Sequence, residues 1–425
     1  MKVENENATM QHVFKGTNVA HKNWMSQTAI LHNKRLGSIC LPATHDSGTC
    51  HLTDVITSDP NRTLQAALNF GKDVADKIDK IPFIGKFINP AKWVTDEVIF
   101  AIKKVATATD NTIRKQLNDG IRALDIRVYY NTQDKQFYTY HGLVGQKLEE
   151  VLSEIRGFLE ETEGEIVRIS FSNFLCDLYE RYDNEKFPYQ VFEALVRHHL
   201  EDYAYLKDPA VENPFDQTYN QIRHQHGIDK SRAILLNKMA TRDSMDIFWE
   251  KTKYYSSKWS DTSNKKELLE SQKEHYKEAV KEGTYHEISL TLTPQEKEVK
   301  SVVVSSLAPA IIKLAGTIAA FWWLLYTGPI AVALSAFAAG LAVFNLFLPW
   351  SSLKQLSQII NKDLRGSLYF VLDGHSCDNV SCISLDFYEH TDVVNLAIEI
   401  SLKHTKIFEN LAKAEQVLAV ENLAE

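Results

Sequence analysis

The chain has 425 residues, 44% of them hydrophobic and 24% charged, with 47 Lys and Arg against 55 Asp and Glu for a formal charge of −8. That length holds one large domain or two ordinary ones with ample core, and the acidic balance argues against a polynucleotide partner, which would call for a basic field. Five cysteines (Cys40, Cys50, Cys176, Cys377, Cys382), odd in number and without CxxC or Cys/His metal spacing, read as reduced, mostly buried thiols.

The first thirty residues are polar and lack the continuous apolar stretch of a secretory signal, so standard N-terminal export is not expected. A short helix is expected at Trp24–Leu31, then a buried strand at Ser38–Ala43 that stops at Thr44-His45-Asp46-Ser47-Gly48. A His-Asp pair at the carboxyl end of such a strand stands where an α/β barrel or open sheet keeps its chemistry. Residues 53–111 then leave the strand–helix rhythm, with a helix at Thr63–Lys80, a Pro/Gly-interrupted apolar piece at Ile81–Asn89 and an amphipathic stretch at Pro90–Ala106. They read as an insertion, and because they leave the His45 strand they should start on the catalytic face.

Regular alternation returns with a helix at Thr112–Asn118 and strands at Ile121–Val128 and Phe137–Tyr140, the latter ending at His141-Gly142. Leu148, Val151, Leu152, Ile155, Phe158 and Leu159 recur at helical spacing, and Glu165–Phe171 is the next strand. A helix at Phe187–Ala204, a strand at Ser231–Met239, a charged helix at Lys265–Glu282 and a strand at His286–Leu292 follow. The last strands are expected at Leu368–Leu372 and Ile383–Phe387, with a closing helix from Asp392 to His404. Seven or eight such units imply a parallel α/β fold, a distorted TIM-type (β/α) barrel spanning residues 36–404, between a lead at 1–35 and a helical tail at 405–425.

Val302–Trp350 carries a single charge, Lys313, and divides at Thr327-Gly328-Pro329 into two apolar halves. About 20 residues span a bilayer, so this second insertion, residues 301–351, reads as an apolar helical hairpin. An all-round apolar helix pair has no obvious place on a compact barrel, which favours a membrane anchor over an internally packed hairpin or an oligomer interface. It too should leave from the carboxyl face, beside the chemistry.

The strand ends carry His45-Asp46, Asp125-x-Arg127, His141 and Asp386. A lone histidine is usually structural and a lone DxR is usually an ion pair. Jointly, two imidazoles, a guanidinium and carboxylates at one barrel mouth are the kit for metal-free phosphoryl chemistry, one ring deprotonating a hydroxyl and the other protonating a leaving oxygen.

Three segments, LPATHDSGT at 41–49, QLNDGIRALDIRVYY at 116–130 and FYTYHGLVGQKLEEVLSEIRGFLEETEGEIVRISF at 137–171, resemble the phosphatidylinositol-specific phospholipases C and the related X-domain-containing proteins. KWSDTSNKKELLE at 258–270, LTLTP at 290–294 and ISLDFYEHTDVVNLAI at 383–398 extend the likeness more weakly. The resemblance implies that His45 is the general base for the inositol 2-hydroxyl, that His141 is the general acid for the diacylglycerol oxygen, and that the product is an inositol 1,2-cyclic phosphate. It implies that Asp386 orients His45, with Asp373 a weaker rival, and that Asp46 and Asp125 are the acidic partners. Asp46 and Ala123 stand where calcium-dependent members carry an Asn and an acidic ligand, and Arg127 is placed where its cation can hold the phosphate, so the pattern is similar to the metal-independent bacterial form and no cofactor is expected.

The bacterial pattern has a Lys after the EIVRISF-type strand; here Ser172 and Asn173 stand there. Asn173 and Lys238 are the candidates for substrate binding, and His375 and His390 read as surface histidines. The implied partners are a phospholipid membrane and a phosphoinositide, and the implied location is membrane-associated. Another lipid headgroup or a glycerophosphodiester is the rival substrate, and a membrane-inserting scaffold with a degenerate barrel is the rival from another class.

Overall fold

The computed structural model describes residues 21–59, 62–79, 90–177, 187–237, 247–325 and 352–402. Its strands are β1 (Leu41–Thr44), β2 (Ala123–Asn131), β3 (Gln136–His141), β4 (Leu143–Lys147), β5 (Ile166–Cys176), β6 (Arg232–Asn237), β7 (Phe248–Glu250), β8 (Tyr255–Ser257), β9 (Tyr285–Ser289) and β10 (Val380–Leu385). Eight form one curled sheet in the order β7-β6-β5-β2-β1-β10-β9-β8, every neighbouring pair parallel. The two edges, β7 and β8, do not pair with each other among the described residues, so the barrel is open there. β3 and β4 form an antiparallel hairpin off β2.

Helices cover the sheet from outside, so its strands are buried on both faces and read as continuous apolar runs rather than alternating ones. β1 and β6 are buried throughout. The helix Leu148–Glu161 lays Leu148, Val151, Leu152, Ile155, Phe158 and Leu159 into this core, and each such burial stabilises by about 1.5–3 kcal/mol. The helix Lys265–Glu282 starts where the Asn264 side chain accepts from the N–H groups of Lys266 and Glu267, and stops at Gly283, whose φ of +68° no β-carbon-bearing residue adopts cheaply.

A second, separate core belongs to the insertions. Helices Arg62–Asp79 and Pro90–Ala106 pack through Leu64, Ala67, Val94, Val98 and Ile102 against Val299, Val302, Val303 and Leu307 of the helix Glu296–Leu325. At Gly71 the helices come near enough that a β-carbon would lie 2.4 Å from Val98 Cγ2. Lys104 Nζ donates to Ser306 Oγ at 3.4 Å across the same contact. The two insertions thus form one helical cap.

Several expectations need correction. Leu368–Leu372 is not a strand but the end of a helix, Leu364–Leu372, whose buried Leu364, Leu368, Val371 and Leu372 keep helical spacing; a five-residue apolar run does not distinguish the two states. Trp24–Leu31 is not a continuous helix: one 3-10 turn, His21–Asn23, precedes it and another, Ala29–Leu31, ends it, with Trp24 and Met25 fully buried between the two. Of the apolar block, Glu296–Leu325 is helical and residues 326–350 lie outside the described residues, as do 1–20, 80–89 and 403–425. Among the described residues no helix is long and apolar enough to cross a membrane.

Candidate active site

The turn after β1 is built to hold two side chains in the barrel mouth. His45 N–H continues the ladder by donating to Leu385 O at 3.1 Å. Asp46 turns the chain at φ +44°, a conformation that costs a non-glycine residue energy and persists only where its surroundings over-determine it. They do so here: Ser47 N–H donates to Asp125 O at 2.8 Å and Asp125 N–H donates to Ser47 Oγ at 2.9 Å, stitching the turn onto β2. Gly48 then passes so close to β3 that a β-carbon would lie 2.6 Å from Thr139 Cγ2.

β2 contributes Asp125 and Arg127, two residues apart and therefore on one face of the strand. His141 ends β3 and Asp386 follows β10. Asp386 Oδ1 lies 2.9 Å from His45 Nδ1, and Asp46 Oδ2 lies 3.4 Å from both His45 Nε2 and His141 Nδ1. Arg127 Nε is 2.5 Å from Asp46 Oδ1. His141 Nδ1 also donates to Ala106 O at 2.7 Å, which fixes the Nδ1–H tautomer of the neutral ring and leaves Nε2 to accept a proton.

These contacts set the charges. Burial is the largest influence on His45 and disfavours its cation, but the carboxylates of Asp46 and Asp386 outweigh it and hold the imidazolium up to about 9. Burial likewise pushes the Asp46 carboxyl up, and Arg127 followed by the two histidines overcomes it, bringing it down to about 2. His141 is lowered below its ordinary value, by burial first and by Arg127 and His45 as well, against the pull of Asp46. At neutral pH His45 therefore carries the proton and His141 is neutral.

The cleft is about 1290 Å³ and has two unlike walls. One is apolar, from Leu64, Ala66, Ile102 and Val105 of the helical cap; the other carries Asp125, Ser172, Asn173, Lys251 and Glu287. Ser172 Oγ donates to Asp125 Oδ1 at 3.1 Å, and Asn173, at φ +49°, accepts from Tyr140 O–H at 2.6 Å through its carbonyl. Lys238 lies outside the described residues. Asp373 is distant in role: it caps a helix and pairs with Lys273 at 2.9 Å. His375 and His390 are exposed.

Two lining residues escaped sequence reasoning. Lys251 Nζ stands 3.7 Å from Asp125 Oδ1, its charge favoured by Tyr255, Asp125 and Glu287 against the larger effect of burial. Glu287 is backed at 2.6 Å by Arg168. Lys251 follows a three-residue strand too short to show as a pattern, and Glu287 sits inside the YHEIS strand with nothing local to mark it. His45, Asp46 and Asp125 bring ligand-type atoms within 4.8 Å of one another, yet Arg127 and Lys251 already face the two carboxylates with fixed positive charge.

No family model matches the chain. It is 31% identical over 160 residues to PI-PLC X domain-containing protein 2 of Mus musculus, a match covering 37% of this chain and 40% of that protein. It is 22% identical over 294 residues to human PI-PLC X domain-containing protein 3, covering 68% and 79%. With the variant-surface-glycoprotein phospholipase C of Trypanosoma brucei brucei it shares 25% over 166 residues, covering 38% and 42%. The matches to the mouse and trypanosome proteins therefore span less than half of their lengths. Among solved structures, the phosphatidylinositol-specific phospholipase C of Listeria monocytogenes superposes with a TM-score of 0.50 at 14% identity, covering 90% of this chain and 99% of that one. That of Staphylococcus aureus does so with a TM-score of 0.50 at 13% identity, covering 90% and 97%; at such identities the likeness is one of fold. By sequence the chain is similar to the PI-PLC X domain-containing proteins, and by fold to the bacterial phosphatidylinositol-specific phospholipases C.

Proposed function

We propose that the chain is a phosphodiesterase of the phosphatidylinositol phospholipase C type, cleaving a membrane phosphoinositide to diacylglycerol and inositol 1,2-cyclic phosphate. The observation that carries this reading is the single carboxylate of Asp46 held 3.4 Å from each of two histidines and 2.5 Å from Arg127. One proton is shared by the histidine pair, and a cation for the phosphate is fixed beside it.

The inositol 2-hydroxyl oxygen attacks phosphorus while the bond from phosphorus to the glycerol oxygen breaks. His45 takes the hydroxyl proton and His141 delivers one to the departing oxygen, so the pair ends with the proton transferred from one ring to the other. Arg127 balances the charge that builds on the phosphoryl oxygens. The reacting form has His45 neutral and His141 charged, the minority partner of the resting form, and Asp46 Oδ2 touches both rings and so stabilises the proton on either. Asp386 holds His45 by the nitrogen turned away from Asp46.

The same charges support a metal-independent reaction: a divalent ion between Asp46 and Asp125 would sit against Arg127 and Lys251. The apolar cleft wall supports a lipid substrate lying with its glycerol end against the helical cap and the cap docked at the bilayer surface. The test is incubation with phosphatidylinositol vesicles in excess EDTA, followed by phosphorus NMR of the water-soluble product. A cyclic phosphate is expected; no product, or a product formed only when calcium is restored, would refute the reading.

A further inference from the structure

The first insertion returns to the barrel through residues 106–108, where Ala106 and Ala108 make three hydrogen bonds to different parts of the site. Ala106, the last residue of the helix Pro90–Ala106, offers its carbonyl to His141 Nδ1 at 2.7 Å. Ala108 N–H donates to Thr49 Oγ1 at 3.0 Å, and that hydroxyl donates to Asp46 O at 2.8 Å. Ala108 O accepts from Phe387 N–H at 2.6 Å, next to Asp386. Ala106, Ala108 and Thr49 are all buried, Thr49 at 1% exposure.

We propose that residues 106–108 are a positioning strap of the active site, with Thr49 as its side-chain link, so that the seating of the inserted helices sets the orientation of the histidine pair. His141 needs such a support more than His45 does. β1 is paired on both sides up to Thr44, the residue before His45, whereas the pairing of β3 with β2 stops at Thr139, two residues short of His141. The carbonyls in the last turn of a helix have no partner within it, and they carry the negative end of its dipole. Here one of them meets an imidazole N–H. The groups facing that ring are Asp46, which favours its cation, and Arg127 and His45, which oppose it. The strap adds the Ala106 carbonyl to the favourable side.

The helix behind the strap is itself anchored on the rest of the cap, through Val98 against Gly71 and through Val105 among Val299, Val302 and Val303. A displacement of the cap therefore reaches His141 through one rigid helix.

The acid and base roles rest on the function proposed above, but the effect of the strap on the rings does not, and the test separates them. Histidine ring titrations are followed by NMR on the full chain, wild type and Thr49→Val. Valine keeps the shape of threonine but loses both hydrogen bonds. A lower midpoint for His141 is expected, with kcat on phosphatidylinositol vesicles down by about tenfold at unchanged KM. Thr49→Ser, which retains the hydroxyl, should restore both. A folded Thr49→Val with wild-type histidine midpoints overturns the inference. If Thr49→Val does not fold, Gly71→Ala decides: its new β-carbon wedges the two inserted helices apart outside the cleft. It should lower the His141 midpoint, and an unmoved midpoint overturns the inference. Shifted midpoints in a protein that never cleaves phosphatidylinositol would uphold the strap and remove the proposed substrate.

Discussion

His45 Nδ1 and Asp386 Oδ1 lie 2.9 Å apart although 341 residues separate them in the chain. The parallel pairing of β1 with β10 accounts for it, since Thr44 and Leu385 are partners in register and the next residue of each strand emerges at the barrel mouth. Asp386→Asn keeps the shape and removes the charge. His45 should then fall from about 9 toward its ordinary value, and the alkaline limb of kcat/KM should move to lower pH. A loss of about tenfold to hundredfold in kcat is expected alongside. An unmoved limb would show that Asp386 does not govern His45.

The resting charges also fix the shape of the whole pH profile. The reactive form holds one proton between His45 and His141, and that state is populated between the two titrations of the pair. The profile of kcat/KM against pH should be a bell, with its alkaline limb near 9 from His45 and its acid limb below the ordinary histidine range from His141. A profile still rising above pH 9 would contradict the shared-proton scheme.

The two histidines can be told apart by the leaving group. An aryl oxide departs without a proton, so with an inositol aryl phosphodiester His141→Ala should lose little, while with phosphatidylinositol it should lose about a hundredfold or more. His45→Ala should lose comparably on both. Equal losses for His141→Ala on the two substrates would take the acid role from it.

The barrel was legible in the sequence because a buried parallel strand is a short apolar run bounded by turn residues, and most of those runs are long enough to show it. β7 and β8, three residues each, are not, and Lys251 between them went unseen for that reason. His45 and His141 were legible because each stands at the end of such a run, and Asp125 and Arg127 because they place charges two residues apart inside one. What could not be read was the meeting of the two insertions. Val98 lies on an amphipathic helix whose apolar face shows that it has a partner but not which one, and Val302 on an apolar helix that marks no single face. The same limit hid the Ala106 carbonyl, a backbone group that no side-chain motif announces.

The histidines also shape stability, in opposite directions. His286 on β9 is fully buried beside the Tyr276 ring, 5.9 Å between centroids, with neither nitrogen hydrogen-bonded among the described residues, and burial brings its pKa down to about 4. Between the unfolded value near 6.5 and about 4, the unfolded chain binds a proton that the folded one refuses, so stability falls as pH drops through that window, by up to about 3 kcal/mol. His45 works the other way: its folded pKa is raised to about 9, so its contribution is complete below 6.5 and is lost as pH rises through 9. Asp46, lowered to about 2, contributes above its ordinary value and loses that contribution only as pH falls through 2. Thermal melts should therefore peak near pH 6.5. His286→Leu should flatten the acid side between pH 4 and 6.5 and leave the alkaline decline in place, whereas His45→Ala should flatten the alkaline side. An acid decline as steep in His286→Leu as in the wild type would remove His286 from the account.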